Sequence, residues 1–235
     1  TSVTLKDREN NQAYFLNNFS SDFTVFNELS INFFELVVNT DAITTSDFFN
    51  ITTGAGTFLY DVTTDEGYSA TGLTGDHLIT FPTGSGVHKV SISGVFPAYS
   101  SSSGLDNDKI IEISNFGIYG LGSTSQYEAF LGCDNLIITA TDSGNFGNVT
   151  NFSNAFAICN SLPSFPLIDT GKGEDFISAW EDSEVLTEFP LLDFSSGTSF
   201  DSAWQGCSIL KTFPSNAFDN CTATDFANSF TGTNL

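Results

Sequence analysis

At 235 residues, with 40% apolar side chains and 25 Phe, the chain has material for one large or two small domains. Only 14% of residues are charged, against roughly 25% in an average soluble domain, so Ser, Thr, Asn and Gly must cover much of the surface. Six Lys and Arg stand against 28 Asp and Glu, and a formal charge of −22 repels phosphate backbones and anionic lipid, which sets nucleic acid and membrane surfaces aside as partners.

The composition favours turns and β-rich structure over long helices. No apolar run approaches the length of a spanning helix, so no membrane insertion is expected. The opening Thr1-Ser2-Val3-Thr4-Leu5-Lys6-Asp7-Arg8 lacks the apolar stretch of a secretory leader; either a leader was removed or none was used.

Residues 1–31 have no period but carry Tyr14, Phe15, Phe19, Phe23 and Phe26. Such an aromatic-rich extension is expected to pack on the rest of the chain or on another subunit. Residues 32–117 read as short strands at Asn32 to Val38, Phe58 to Val62, His77 to Phe81, Val87 to Val95 and Lys109 to Ile113, parted by Gly, Thr and Ser clusters. That spacing predicts a small antiparallel β-sandwich. Residues 98–108, with four consecutive Ser, predict a flexible surface loop.

Chemistry-bearing residues are few. His77 and His88 lie in predicted strands beside no nucleophile motif, and no P-loop, dinucleotide fingerprint or zinc-protease motif occurs, so the expectation is no enzyme and no catalytic residue. Asp61, Asp65 and Glu66, and Asp106 with Asp108, bring carboxylates close together in loops, as Ca²⁺ requires. Neither group matches an EF-hand loop, and solvated turn acids are the default. Ca²⁺ is the one cofactor these acids suggest.

The strongest signal is a repeat over 118–235, about four copies and a partial one. Phe152-Ser153-Asn154-Ala155-Phe156, Phe176-Ile177-Ser178-Ala179-Trp180, Phe200-Asp201-Ser202-Ala203-Trp204 and Phe226-Ala227-Asn228-Ser229-Phe230 share one pattern, with the first Phe recurring after 24, 24 and 26 residues. Tyr127-Glu128-Ala129-Phe130 is an earlier copy without the leading Phe. Three residues past the second aromatic come Cys133, Cys159, Ser183 and Cys207, then Leu136, Leu162, Leu186 and Leu210, then Phe165-Pro166, Phe189-Pro190 and Phe213-Pro214. Such a unit can bury its Phe, Ala, Leu and second aromatic only against its neighbours, which predicts a solenoid. The Leu to Phe-Pro segment reads as a strand that Pro ends. The Phe-x-x-Ala-aromatic segment has the spacing of one helical face and predicts a short helix opposite. Cys133, Cys159 and Cys207 then form a row of buried structural thiols, or Cys133 and Cys159 are bridged.

On these motifs the repeat half resembles leucine-rich-repeat surface proteins of the BspA type. The stretch from Tyr60 to Gly67, then Ile79-Thr80-Phe81-Pro82 and Gly86 to Gly94, is similar to the polycystic-kidney-disease-type Ig-like module that often precedes such repeats; the module's Trp-Gly-Asp-Gly turn is replaced here by Thr64-Asp65-Glu66-Gly67. The resemblance implies a mainly β fold with short helices, a small sandwich followed by a leucine-rich-repeat-type solenoid. It also implies a non-catalytic virion or surface structural protein, such as a capsid decoration, appendage or fibre subunit. The alternative is a bacterial cell-surface adhesin that binds host glycan or protein. Expected partners are the protein itself or other virion or surface proteins in an oligomer or larger assembly, at a virion surface or outside the cell.

Overall fold

The computed structural model describes residues 4–6, 13–15, 33–42, 45–102, 104 and 106–235, which fall into two compact units, Thr1–Ile31 and Asn32–Leu235. In the first, β1 (Thr4–Lys6) and β2 (Ala13–Phe15) pair antiparallel with Leu5 opposite Tyr14. Phe19, Phe23 and Phe26 lie outside the described residues, and so does the expected packing of that extension.

The second unit is mainly β, with a single 3-10 turn, Asn107–Lys109, as its helical element among the described residues. Its strands are β3 (Phe34–Asn39), β4 (Phe48–Ile51), β5 (Leu59–Thr64), β6 (Ser69–Leu73), β7 (His77–Thr80), β8 (Val87–Val95), β9 (Ile110–Asn115) and β10 (Ile137–Ile138). They form a six-stranded sheet in the order β10-β9-β3-β8-β5-β6 and a two-stranded sheet of β4 and β7. Period-two alternation explains the central strands. Phe34, Leu36 and Val38 of β3, Tyr60 and Val62 of β5, and Val90 and Ile92 of β8 are buried, while the residues between them face outward. Phe49, Ile51 and Ile79 of the smaller sheet are buried in the same core.

The six-stranded sheet is mixed, not purely antiparallel as the strand spacing predicts. β10 belongs to the first repeat copy and pairs parallel with β9, Ile137 opposite Glu112 and Ile138 opposite Ile113. The sheet therefore runs without a break across the 117–118 boundary.

Beyond β10 the chain builds by stacking. Parallel bridges link Ser125, Asn151, Asp175, Ser199 and Asp225 in succession, and a second series links Ser164, Glu188 and Thr212. At each junction four main-chain N–H groups of one copy donate to carbonyls of the next. Phe176, Ser178, Trp180 and Asp182, for example, donate to Ser199, Asp201, Ala203 and Gln205 at 2.7–3.0 Å. The spacing that such bonds impose, close to 4.8 Å, brings equivalent rings into contact. Phe152, Phe176, Phe200 and Phe226 form one column with centroids 5.0–5.3 Å apart and planes within 5°. Trp180, Trp204 and Phe230 form a second at 5.2–5.3 Å, and Phe165, Phe189 and Phe213 a third at 5.4–5.8 Å. Rings from adjacent columns meet edge to face, as Trp180 does with Phe189, so stacked and T-shaped contacts alternate through the core.

The short helices expected at Phe-x-x-Ala-aromatic do not form. The third residue of the motif is left-handed in every copy, at Glu128, Asn154, Ser178, Ser202 and Asn228, with φ of 52–56°. Four residues later Gly132, Ile158, Asp182, Gly206 and Gly232 are left-handed again. A left-handed residue inside a turn ends helical propagation. The i, i+3, i+4 apolar spacing is met instead by consecutive tight turns, such as Ala179 N–H to Phe176 O, that leave alternate peptides free to bond along the stack. Gly206 also lies against Asp182 of the preceding copy, where a Cβ would overlap its carboxylate.

Candidate binding surface

Phe152, Phe156, Leu162, Phe176, Trp180, Leu186, Phe200, Trp204 and Leu210 are buried. Phe226 departs from this: one ring face stacks on Phe200, and the residue is 36% exposed because no copy follows it among the described residues. The cysteines are free thiols, with no Cys133–Cys159 bridge, and Cys133, Cys159 and Cys207 are buried. Cys159 Sγ donates to Phe130 O and Cys207 Sγ to Trp180 O, each a carbonyl of the preceding copy; Ser183 Oγ makes the same bond to Phe156 O at 3.1 Å. Burial pushes the Cys133 and Cys207 thiols up to about 12 and Cys159 well above its ordinary range, so nucleophilic thiolate is suppressed at all three.

The acids singled out for Ca²⁺ do not converge. Asp61, exposed on β5, accepts the Gly72 N–H, and Asp65 accepts that of Lys89. Glu66 takes the His88 Nδ1 hydrogen at 2.5 Å; hydrogen bonding from Thr83 and then His88 holds its carboxyl below the usual glutamate range. His88, on β8, is buried and stacks on Phe81 with centroids 3.8 Å apart. His77 contacts the Tyr68 hydroxyl. Asp106 is buried and already holds a cation: Lys109 Nζ lies 2.6 Å away, and the Asn50 N–H and side-chain amide both donate to its other oxygen. Lys109 in turn donates to Phe48 O and sits over the Phe48 ring. Asp108 points elsewhere, its carboxyl pushed up by partial burial and Asp134. No group of three or more metal-binding side chains is assembled among the described residues.

Three surfaces remain. Along one flank, two shallow clefts lie between turns of neighbouring copies. One, of about 280 Å³, is lined by Leu191, Asp193, Ser195, Asn216 and Asn220. The other, of about 360 Å³, is lined by Leu121, Ser143, Asn148 and Asp169 among others. The Asp193 carboxylate accepts the Ser195 N–H, which lowers its pKa and fixes the turn. Leu167 and Leu191, one repeat apart and 65% and 50% exposed, give this flank an apolar edge beside its amide, hydroxyl and carboxylate groups.

The end of the stack nearest the sheets is closed. Residues 98–102 and 106–108, within the stretch 98–108 expected as a flexible surface loop, form its lid: Ala98, Tyr99, Ser101 and Asp106 are buried. Tyr99 stacks on Phe130, 5.7 Å away and 8° from parallel, as Phe130 stacks on Phe156 of the next copy. Gln126 occupies the leading-Phe position and is bonded to Pro97 O and the Tyr119 hydroxyl. Carbonyls that elsewhere accept from a preceding copy are taken by side chains instead: Ser125 O by Ser123, Ala129 O by Ser101, and Leu131 O by Asn107.

The N–H groups of Phe226, Asn228, Phe230 and Gly232 stand at the positions that bond forward in every earlier copy, and meet no acceptor among the described residues. No family model matches the chain, and no curated protein or solved structure matches it.

Proposed function

We propose that this chain is a non-catalytic structural protein of a virion or cell surface, built from a small Ig-like β-sandwich and a leucine-rich-repeat-type solenoid of the BspA kind, that displays a binding flank. The observation that carries this reading is the continuous register of main-chain bonds and ring columns from the sheets to the last copy. That register leaves the side chains outside the core free for recognition. The clefts on one flank, with Asn, Ser and Asp beside exposed Leu, suit hydroxyl-rich ligands better than phosphates, which the surplus of 28 Asp and Glu over 6 Lys and Arg repels. A surface adhesin that binds host glycan is the second reading, favoured by those same clefts. Oligomerisation and assembly with other surface proteins belong to the first.

A glycan array combined with light scattering on the purified chain, with and without Ca²⁺, tests the reading. Expected is retention of a defined glycan or surface protein without turnover. Retention should fall at least about tenfold in the double variant Leu191→Arg, Asn220→Arg. Conversion of a bound glycan to products would overturn the non-catalytic assignment, and retention unchanged in the variant would remove the flank as the binding surface.

A further inference from the structure

The charged cluster beneath the lid has the makings of a reaction. Asp106 and Lys109 are each 3% exposed, on and beside the 3-10 turn that precedes β9, and Lys109 Nζ lies 2.6 Å from Asp106 Oδ1. The other carboxylate oxygen accepts the Asn50 side-chain amide at 2.7 Å. One buried carboxylate therefore bridges a lysine and a carboxamide carried by β4. The Phe48 ring covers the lysine head, its centroid 4.1 Å from Nζ, and Phe48 O accepts from Nζ at 2.9 Å. Burying two charges is costly even when they are paired, and apolar side chains of similar volume would hold the lid at least as well.

We propose that Lys109 and Asn50 become joined by a covalent amide bond, with Asp106 carrying the protons. Nζ gives one proton to Asp106 Oδ1, and its freed electron pair attacks Asn50 Cγ. A second proton leaves Nζ as the bond from Cγ to Nδ2 breaks. Both protons pass by way of Asp106 to the departing nitrogen, which already donates to Oδ2, so ammonium leaves and the carboxylate is restored. One C–N bond forms and one breaks, and nothing is oxidised or reduced. The chain modifies itself once and turns nothing over. Fixed neighbours replace a chance encounter, and burial of Asp106 and Lys109 keeps water from competing with the amine. Asn50 is half-buried, which leaves the ammonium a way out.

Lys172 and Asn148 supply an internal contrast. Lys172 Nζ donates to Asn148 Oδ1 at 2.7 Å, but both residues are exposed and among the described residues no carboxylate bridges them. The new bond ties β4, in the two-stranded sheet, to the turn leading into β9 of the six-stranded sheet. Closing the chain between positions 50 and 109 restricts the unfolded state, as a disulfide does. This inference rests on the buried cluster and not on the surface-protein reading, so either can fail alone.

Mass spectrometry of the intact, denatured chain is the test. After the folded chain has stood at neutral pH, its mass is expected to fall short of the sequence by one ammonia. A tryptic digest should contain a branched peptide joining Asn50 to Lys109, with no cleavage after Lys109 and normal cleavage after Lys172. Asp106→Asn should form the link at least about a hundredfold more slowly. Asn50→Ala should keep its full mass and be cut after Lys109. Either variant can loosen the lid, so the deciding reading is taken on the unmutated chain. Full sequence mass after prolonged standing, or loss of ammonia with no peptide joining Asn50 to Lys109, would overturn the proposal. An unchanged rate of linking in Asp106→Asn would overturn it too.

Discussion

At the scale of single residues, the repeat is governed by two left-handed positions per copy. Asn, Ser and Gly tolerate that conformation; a β-branched side chain does not. Ile158 has φ 58° where Gly132, Gly206 and Gly232 stand in other copies. It is 40% exposed, so removing its side chain gives up about 1–2 kcal/mol of apolar burial. Left-handed backbone costs a non-Gly residue about 1–2 kcal/mol, and glycine's extra freedom in the unfolded chain costs about 0.5–1 kcal/mol. Relief of strain is offset by the two losses. Ile158→Gly is expected to lower stability by no more than about 1 kcal/mol, read as a urea midpoint slightly reduced at unchanged slope. A raised midpoint would mean that backbone strain at this position outweighs the packing of the side chain. The thiol row follows a similar rule of equivalence: Ser183 makes to Phe156 O the bond that Cys159 makes to Phe130 O, so the position demands a small donor and no cysteine chemistry.

At the scale of the element, each column of stacked rings behaves as one unit. Phe, Trp, Trp and Phe occupy the second aromatic position at 156, 180, 204 and 230. Trp180 and Trp204 bury their indole Nε1 groups with no hydrogen-bond partner among the described residues. An unpaired buried donor costs about 1–3 kcal/mol, which offsets part of what the larger ring gains by burial. Trp204→Phe is therefore expected to cost under about 2 kcal/mol, whereas Trp204→Ala, which empties the column between Trp180 and Phe230, should cost about 3–5 kcal/mol. Chemical denaturation of the two variants checks the difference. Equal losses would mean that the indole makes a bond through buried water. The element scale is also where the spacing i, i+3, i+4 points to the wrong local structure. Three apolar residues at that spacing share a face in a helix, and they share one equally in consecutive turns. What separates the two is the residue between them: Asn154, Ser178, Ser202 and Asn228 are poor in helix interiors and readily left-handed. That signal was present in the sequence, and apolar periodicity overrode it.

At the scale of the whole molecule, stability depends on how the sheet meets the stack. The lid segment is anchored by Asp106 and Lys109, both buried, with Asn50 and Phe48 of β4 completing the cluster. Removing one partner leaves the other charge buried. Lys109→Met is expected to destabilise by about 3–5 kcal/mol and to expose the closed end, raising exchange at the amides of residues 126–132. A loss under about 1 kcal/mol would show that the lid is held by Tyr99 and Gln126 alone.

The sequence by itself determined the repeat, its register and its buried positions, since periodic Phe, Ala, Leu and Cys can all be buried together only by stacking. It also determined the central strands, where alternation is clean, as in Phe34, Leu36 and Val38. β4 and β6 were not legible: Ser69–Leu73 has no alternating apolar pattern, and its pairing is decided by β5 beside it. The parallel join of β10 to β9 and the lid over the first copy were decided only by the tertiary structure. Both depend on groups far apart in the chain, such as Ser101 with Ala129 O and Asn50 with Asp106, and local composition carries no trace of such partners.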